Sequence, residues 1–212
     1  MLELGSLIEH LRDSIVFTPI TLALSTVLLN YPKVFEKQDR FMVDLITDKG
    51  FRLSTYSEEH KLLLVFLRHF GCTFCRETLA DIQERKETLE KKGVKIVFVH
   101  MMPEAYAEEI FKIYDLDGID HISDPMKKLY NHFGLETGSF NQVLGFKVWL
   151  RFVVSGLFKG HLVGPAKGDA WQMPGVFLYH KNKVLRAYRH KQASDRPNYL
   201  ELACEMPIAG EA

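Results

Sequence analysis

Two largely apolar runs, the second interrupted only by Lys95, dominate the middle of the chain and are separated by a helical pattern. Residues 62–67 and 94–99 lack polar alternation, which is typical of strands buried on both faces of a sheet. Residues 73–92 instead repeat apolar side chains at helical spacing. The apolar face of this helix comprises Leu79, Ile82 and Leu89. Gly93 stands where a helix-terminating glycine belongs, so the pattern predicts a strand–helix–strand unit.

Shorter patterns continue the alternation of strand and helix toward the C-terminus. We expect helices over 103–114, 124–130 and 197–203, a strand over 119–122, and a hairpin of strands 176–179 and 183–188 with its turn at Lys181 and Asn182. This order predicts an α/β fold with a central mixed sheet, flanked by helices and connected by right-handed crossovers.

The beginning of the chain and one later segment lie outside this alternation. Residues 1–38 predict an N-terminal helical extension, broken near Pro19, ahead of a domain over 39–205. That domain is expected to open with a hairpin: a strand over 41–46, a turn at Asp48-Lys49-Gly50, and a short returning strand over 51–53. An insertion of about residues 139–170 precedes the last hairpin.

Composition narrows the class of protein. The chain has 212 residues, 47% of them hydrophobic, with 27 Lys and Arg against 27 Asp and Glu. A core of that size argues against disorder, and zero net charge argues against a nucleic-acid binder that relies on general phosphate attraction. Three cysteines are too few for a secreted disulfide framework, and the apolar run 15–29 is shorter than the roughly 20 residues of a spanning helix. We therefore expect a cytoplasmic protein.

The inserted element is unusually apolar for a loop. Residues 143–162 hold many large apolar side chains with lysine, arginine and histidine interspersed. We expect this segment to pack over the core and to contribute to a homodimer. Contact with a membrane surface through the same basic and apolar mixture is the less favoured alternative.

The most informative motif is Gly71-Cys72-Thr73-Phe74-Cys75, which follows a buried strand and opens a helix. Unpaired backbone N–H groups at a helix start stabilise a thiolate, and the two-residue spacer lets the two sulfurs meet across the first turn. Gly71 lets the chain bend between strand and helix. A C-x-x-C pair in this context predicts thiol redox chemistry.

Other readings of the cysteines stay open. Two cysteines are half of a zinc site, two chains together could hold an iron–sulfur cluster, and the pair could be merely structural. Cys204 reads as an inert packing cysteine. Arg68, His69 and Arg76 place positive or titratable charge near the pair, although a structural ion pair and a non-catalytic strand-end histidine explain the first two equally simply.

Four motifs taken together resemble a known family. These are residues 66–76 around the cysteines, residues 124–135, residues 168–177, and Asp195-Arg196-Pro197. They are similar to the peroxiredoxin-like alkyl hydroperoxide reductase/thiol-specific antioxidant family, which includes the selenoprotein L-like and peroxiredoxin-like 2 proteins. The resemblance covers roughly residues 40–203 and implies a thioredoxin-like fold with a redox site at Cys72 and Cys75.

The resemblance also implies roles for two residues far along the chain. Thioredoxin-like folds place a cis proline against the cysteine pair, and Pro174 occupies that place; an ordinary trans proline is the alternative. Arg196 is a candidate active-site residue, although Asp195 and Pro197 are most simply the N-cap and first-turn proline of the last helix.

The motif departs from true peroxiredoxins at one position. Their signature has a threonine three residues before the peroxide-attacking cysteine, whereas here Cys72 takes that place and Cys75 takes the peroxidatic one. The correspondence favours Cys75 as the sulfur that meets peroxide. Exposure at the helix start favours Cys72 as the nucleophile toward protein disulfides.

The sequence thus predicts a thiol–disulfide oxidoreductase or peroxiredoxin-like peroxidase that needs no dissolved cofactor. Its expected partners are a hydroperoxide or protein-disulfide substrate and a thioredoxin- or glutaredoxin-like electron donor. The alternative is a non-catalytic thioredoxin-fold binding module whose cysteine pair senses redox state or holds a metal or iron–sulfur cluster.

Overall fold

The computed structural model describes residues 45–145 and 168–204. Its elements are α1 (Leu53–Glu59), β1 (Lys61–Phe66), α2 (Thr73–Lys91), β2 (Val94–His100), α3 (Glu104–Ile113), β3 (Asp120–Ser123), α4 (Lys128–His132), α5 (Phe140–Leu144), β4 (Gly175–His180), β5 (Lys183–Arg189) and α6 (Tyr199–Leu202). The predicted N-terminal extension, the apolar run 15–29 and most of the insertion lie outside the described residues. The homodimer, which rests on the insertion, therefore stays a prediction.

A five-stranded mixed sheet in the order β3-β2-β1-β4-β5 forms the centre of the domain. β1 pairs in parallel with β2 and β2 with β3, while β4 is antiparallel to β1 and to β5. The predicted α/β class and mixed sheet are confirmed. Because β1 is the central strand, the residues that follow its carboxyl end lie between β2 on one side and β4 on the other.

Alternate side chains of β1 enter two separate cores, one on each face of the sheet. Leu63 and Val65 join the core under α2 and α3, where the predicted apolar face of α2 is fully buried. Leu62, Leu64 and Phe66 join the opposite core with residues of α1 and α4. Burial on both faces explains why this strand has no polar alternation.

Turn signals were reliable where one residue fixes the backbone. Gly50 has φ 84° in the turn at Asp48-Lys49-Gly50, and Gly93 has φ 73° at the end of α2. Lys181 and Asn182 have φ 49° and 57°, the two positive values that a tight hairpin turn requires. The i,i+4 pairs Asp81–Arg85 and Glu87–Lys91 are present, at 3.4 and 3.5 Å.

Two local predictions were wrong. The returning strand over 51–53 is reduced to one bridge between Ile46 and Arg52, because Leu53 begins α1 and is completely buried against the sheet. The last helix is capped by Asn198 instead of Asp195: the Asn198 side chain accepts the Glu201 N–H. The Asp195 carboxylate instead accepts the N–H groups of Lys191 and Gln192, at 2.6 and 2.9 Å.

Candidate active site

The two cysteines lie where the chain leaves the carboxyl end of β1 and starts α2. Cys72 is the N-cap residue of α2, and its carbonyl accepts the Arg76 N–H at 3.0 Å. Cys75 lies in the first turn. Both thiols are free and buried, with 8% of Cys72 and 4% of Cys75 exposed. The buried strand and the helix start hold the pair at the place that the sequence predicts, but the expected exposure of Cys72 is wrong, because the residue is buried.

Arg68 contacts both sulfurs. Its guanidinium Nη1 lies 3.7 Å from Cys72 Sγ, and its backbone N–H donates to Cys75 Sγ at 3.4 Å. The side chain is almost completely buried. A buried guanidinium stays positive, so it supplies a fixed charge next to Cys72.

A loop about 100 residues away holds that guanidinium in place. The Ala170 carbonyl accepts a hydrogen bond from Arg68 Nη2. The Asp169 carboxylate fixes this loop, because it pairs with Lys127 at 2.8 Å and accepts the Trp171 N–H at 2.8 Å. Gly168 has φ 109°, and a Cβ there would lie 3.3 Å from the Arg68 carbonyl oxygen. The sequence motif 168–177 thus contacts Arg68 and holds its guanidinium next to the cysteines.

The surroundings make the two thiols unequal. The Cys75 thiol donates a hydrogen bond to Cys72, and this, with the Arg68 charge and the N–H groups of Cys75 and Phe74, lowers the pKa of Cys72 well below its usual value despite burial. Donation to Cys72 and burial raise the pKa of Cys75. At neutral pH the site therefore holds a Cys72 thiolate and a Cys75 thiol.

Tyr130 fixes the backbone on which Arg68 sits. Its hydroxyl is fully buried and donates to the carbonyl oxygens of Leu67 and Val99, the latter at 3.0 Å. These carbonyls follow β1 and end β2, so the tyrosine ties the two strand ends together. The sequence motif contained Tyr130, but its role depends on contacts about 60 residues away in sequence.

His69 and Thr73 are buried beside the pair. Burial and then Arg68 lower the pKa of His69 to about 4, so its imidazole is neutral at pH 7. Neither His69 Nδ1 nor Thr73 Oγ1 has a hydrogen-bond partner within the described residues. Gly71 lies in the buried turn just before Cys72. These three residues lie around the pair, and the His69 backbone also hydrogen-bonds to the Cys75 thiol, which partly offsets the rise in its pKa.

Pro174 is close to the pair, but the expected cis bond is wrong: the Met173–Pro174 peptide is trans. Pro174 lines the same small cavity as Cys75. Its carbonyl accepts the His190 N–H at 3.3 Å, one residue before the β4–β5 ladder begins with Gly175 opposite Arg189. The backbone therefore enters β4 already extended, and the intrinsically favoured trans form fits that path.

Arg196 does not join the cysteines. Its guanidinium binds the Asp81 carboxylate through two nitrogens and lies 3.4 Å from Glu77 Oε1. Both carboxylates are buried on α2, so the structure supports an ion pair that fastens the C-terminal segment to this helix.

Cys204 lies at the other end of α2, where its sulfur is 3.4 Å from Lys92 Nζ. A 19-residue helix is about 28 Å long, so Cys204 is remote from Cys72.

One residue of the site was missed by sequence reasoning. His190 lines the cavity that also contains Cys75 and Pro174. The sequence signal that could have identified it is the register of the hairpin. Gly175 pairs with Arg189, so His190 comes to lie opposite Pro174.

Other polar clusters lie elsewhere. A cavity of about 740 Å³ is lined by Lys49, Tyr56 and Asp120 at the amino ends of the parallel strands, and neither cysteine faces it. Among residues 45–145 and 168–204 no three His, Cys, Asp or Glu side chains are grouped closely enough to hold a metal ion. In the same part of the chain no helix is long and apolar enough to cross a membrane.

Comparison with known proteins gives consistent relatives. The model of the AhpC/TSA family matches residues 35–188. A prostamide/prostaglandin F synthase from Danio rerio is 29% identical over 157 residues, which cover 71% of this chain and 76% of that protein. Human peroxiredoxin-like 2A is 24% identical over 192 residues, covering 85% and 82%.

Among solved structures, the bacterioferritin comigratory protein of Xanthomonas campestris aligns with a TM-score of 0.50 at 16% identity, over 70% of this chain and 82% of that chain. At that identity the likeness concerns the fold, which is thioredoxin-like.

Proposed function

This chain belongs to the AhpC/TSA family, and on that premise we propose that it is a thiol-dependent oxidoreductase whose Cys72 and Cys75 cycle between dithiol and disulfide. One observation carries the proposal: Arg68 contacts both sulfurs within a site that stabilises one as a thiolate and keeps the other protonated. Such inequality is what a two-cysteine cycle requires, because one sulfur must attack first and the other must resolve the product.

The cycle has two steps with either substrate class. With a hydroperoxide, the Cys72 thiolate attacks the terminal oxygen, the S–O bond forms, the O–O bond breaks, and Cys72 becomes a sulfenic acid. The alkoxide leaves and takes up a proton from solvent to become the alcohol. With a protein disulfide, Cys72 displaces one sulfur and forms a mixed disulfide. Cys75 then attacks Cys72, the Cys72–Cys75 bond forms, and water or the substrate thiol is released. A thioredoxin- or glutaredoxin-like donor returns two electrons by thiol–disulfide exchange, so no dissolved cofactor is needed.

The relatives suggest the substrate class. The name peroxiredoxin-like 2A belongs to that protein, yet it fits chemistry on the O–O bond of a peroxide. We therefore place organic hydroperoxides first and protein disulfides second. The near-complete burial of Cys72 supports this order, because a small peroxide reaches a buried sulfur more easily than a folded protein does.

The assignment of the attacking sulfur is part of the proposal. The position in the motif favours Cys75, whereas the hydrogen bond from Cys75 and the Arg68 charge favour Cys72. We give the electrostatics more weight, because the thiolate is the reactive form.

The test uses Cys72→Ser and Cys75→Ser in the full chain, with Cys204→Ser added to both. Each reduced variant is treated with one equivalent of an organic hydroperoxide and a dimedone-type probe, and adducts are counted by mass. We expect an adduct in Cys75→Ser and none in Cys72→Ser. The reverse result would assign peroxide attack to Cys75. If the wild type formed no disulfide after treatment with oxidant, the proposed oxidoreductase activity would be refuted.

Turnover is tested separately with a thioredoxin system. Reduced wild-type chain should consume the reducing equivalents of thioredoxin when hydroperoxide is present, and Cys75→Ser should stop after one turnover. A glutaredoxin system provides the parallel measurement.

Burial of both sulfurs also gives some support to the non-catalytic binding module. In that function the pair would sense redox state or hold a metal or iron–sulfur cluster with a second chain. Metal near half an atom per chain, or a brown protein after purification, would favour this second function. A colourless protein with a reversible disulfide favours the enzyme.

A further inference from the structure

A water-sized cavity lies against Cys75, on the side of the sheet that carries α2. Its volume is about 10 Å³, close to the minimum that one water molecule needs. Its lining includes Cys75 and Thr78 from α2, Pro174 from the start of β4, and His190 and Asp195 from the chain that follows β5. Four of these lining residues carry polar side chains, which are the type of partner that a buried water requires.

His190 is the unexplained member of this cavity. Only 9% of the residue is exposed, and neither ring nitrogen makes a hydrogen bond within the described residues. Leaving buried polar atoms unpaired is unfavourable, so their presence points to a partner such as a buried water. The Pro174 carbonyl is close enough to influence the ring without meeting the geometry of a hydrogen bond to it.

Burial keeps His190 neutral, and the Asp195 carboxylate and the Pro174 carbonyl act in the opposite direction, toward protonation. Burial lowers its pKa to about 4 and Arg68 adds to this effect, while the Asp195 carboxylate and the Pro174 carbonyl oppose it. The ring is therefore uncharged at pH 7. Once protonated, it would face the Asp195 carboxylate, which is held by the backbone N–H groups of Lys191 and Gln192.

We propose that one water in this cavity links Cys75 to His190, and that His190, backed by Asp195, takes the Cys75 proton as the Cys72–Cys75 disulfide closes. The inference rests on the proposed function. It supplies what that cycle lacks, since Cys75 is a buried thiol and must lose its proton to attack. Proton transfer and S–S bond formation occur together, so neither a free Cys75 thiolate nor a free imidazolium has to accumulate.

The step balances for both substrates. When Cys72 is a sulfenic acid, the Cys75 S–H bond breaks, the S–S bond forms, and hydroxide leaves Cys72. The proton held by His190 is then transferred to this hydroxide, which becomes water. When Cys72 carries a mixed disulfide, the leaving group is the substrate thiolate, which takes up the same proton. His190 is therefore unchanged after each cycle.

The test separates the two chemical steps with the aromatic disulfide DTNB on the reduced full chain carrying Cys204→Ser. Attack by Cys72 releases the first thionitrobenzoate, and closure of the Cys72–Cys75 disulfide releases the second. His190→Gln should leave the first release at the wild-type rate and slow the second by about tenfold or more at pH 7, with the second rate now rising steeply with pH. His180→Gln, a histidine at the opposite end of β4, is the matched control and should change neither phase.

A second variant tests the water and guards against misfolding of His190→Gln. Val65→Ile adds one methyl group to the cavity wall, keeps His190, and should slow the second release in the same way. The role of His190 would be overturned if the second release kept the wild-type rate and pH profile in folded His190→Gln. If His190→Gln does not fold, the same result in Val65→Ile would overturn it. Release of only one thionitrobenzoate by the wild type would instead refute the Cys72–Cys75 cycle, and the role of His190 with it.

Discussion

Replacement of Arg68 by methionine should raise the pKa of the Cys72 thiol by about one to two units. Methionine has a similar length and no charge, and the Arg68 backbone N–H that binds Cys75 remains. The guanidinium lies 3.7 Å from Cys72 Sγ. At that distance a unit charge pair is worth about 4–5 kcal/mol at an effective dielectric constant of 20 and about 1 kcal/mol in water.

These limits correspond to about one to three pKa units. We expect the lower part of that range, because the hydrogen bond from the Cys75 thiol is the larger cause of the low pKa and survives the substitution. Arg68→Lys retains the charge and should keep most of the effect. Loss of the hydrogen bond to the Ala170 carbonyl should cost about 1 kcal/mol in the free energy of unfolding, which a urea titration measures.

The assay is the absorbance of the thiolate at 240 nm as a function of pH, in reduced protein with Cys204→Ser. This absorbance does not depend on access of a reagent to the buried sulfur. Arg76→Met is the control: Arg76 is also cationic and close in sequence, but its guanidinium Nε binds the Phe70 carbonyl at 2.9 Å. An unchanged Cys72 pKa in Arg68→Met, or an equal rise in Arg76→Met, would refute the reasoning.

Three further predictions concern stability. Burial lowers the pKa of His100 to about 3, below the unfolded value of about 6.5, so its contribution to stability is complete above pH 6.5 and is lost as pH falls toward 3. Between pH 7 and 4.5 the urea midpoints should show a loss of stability that is about 3 kcal/mol smaller in His100→Gln than in the wild type, and the remaining loss comes from other buried histidines such as His69 and His190. Arg196→Met should cost about 2–4 kcal/mol, because the Asp81 carboxylate stays buried, while the Cys72 pKa is unchanged; a shifted Cys72 pKa would restore Arg196 to the site. Gly168→Ala and Gly50→Ala both strain a positive φ, but only the first crowds the Arg68 carbonyl, so thermal unfolding should show the larger loss for Gly168→Ala, and only that variant should raise the Cys72 pKa.

Features decided within a few residues could be predicted from the sequence. The unbroken apolar run of β1 and the helical spacing in α2 fixed the position of the cysteine pair, because a double-sided core and a helix start leave few other arrangements. Gly93 ended α2 as expected for a residue that adopts positive φ easily.

Predictions failed where two local choices had similar energies. Leu53 fits a short strand, yet a helix lets it bury its side chain completely. Asp195 is as good an N-cap as Asn198, and what separates them is that the turn after β5 uses the Asp195 carboxylate for two of its own N–H groups. Such competition depends on where the preceding strand ends, which the sequence leaves uncertain by a few residues.

The inequality of the two cysteines lies beyond any local pattern. In the motif the two sulfurs are alike apart from their order, and helix geometry alone stabilises a thiolate near the first turn without saying how strongly. After the hydrogen bond from the Cys75 thiol, the contact that lowers the Cys72 pKa most is the Arg68 guanidinium, which the Ala170 carbonyl holds in place. The loop that contains Ala170 is fixed in turn by the Lys127–Asp169 ion pair. Part of the difference between the two thiols thus depends on contacts between residues that are 40 to 100 positions apart in sequence. This explains why the resemblance at the motif and the electrostatics of the folded site favour different cysteines.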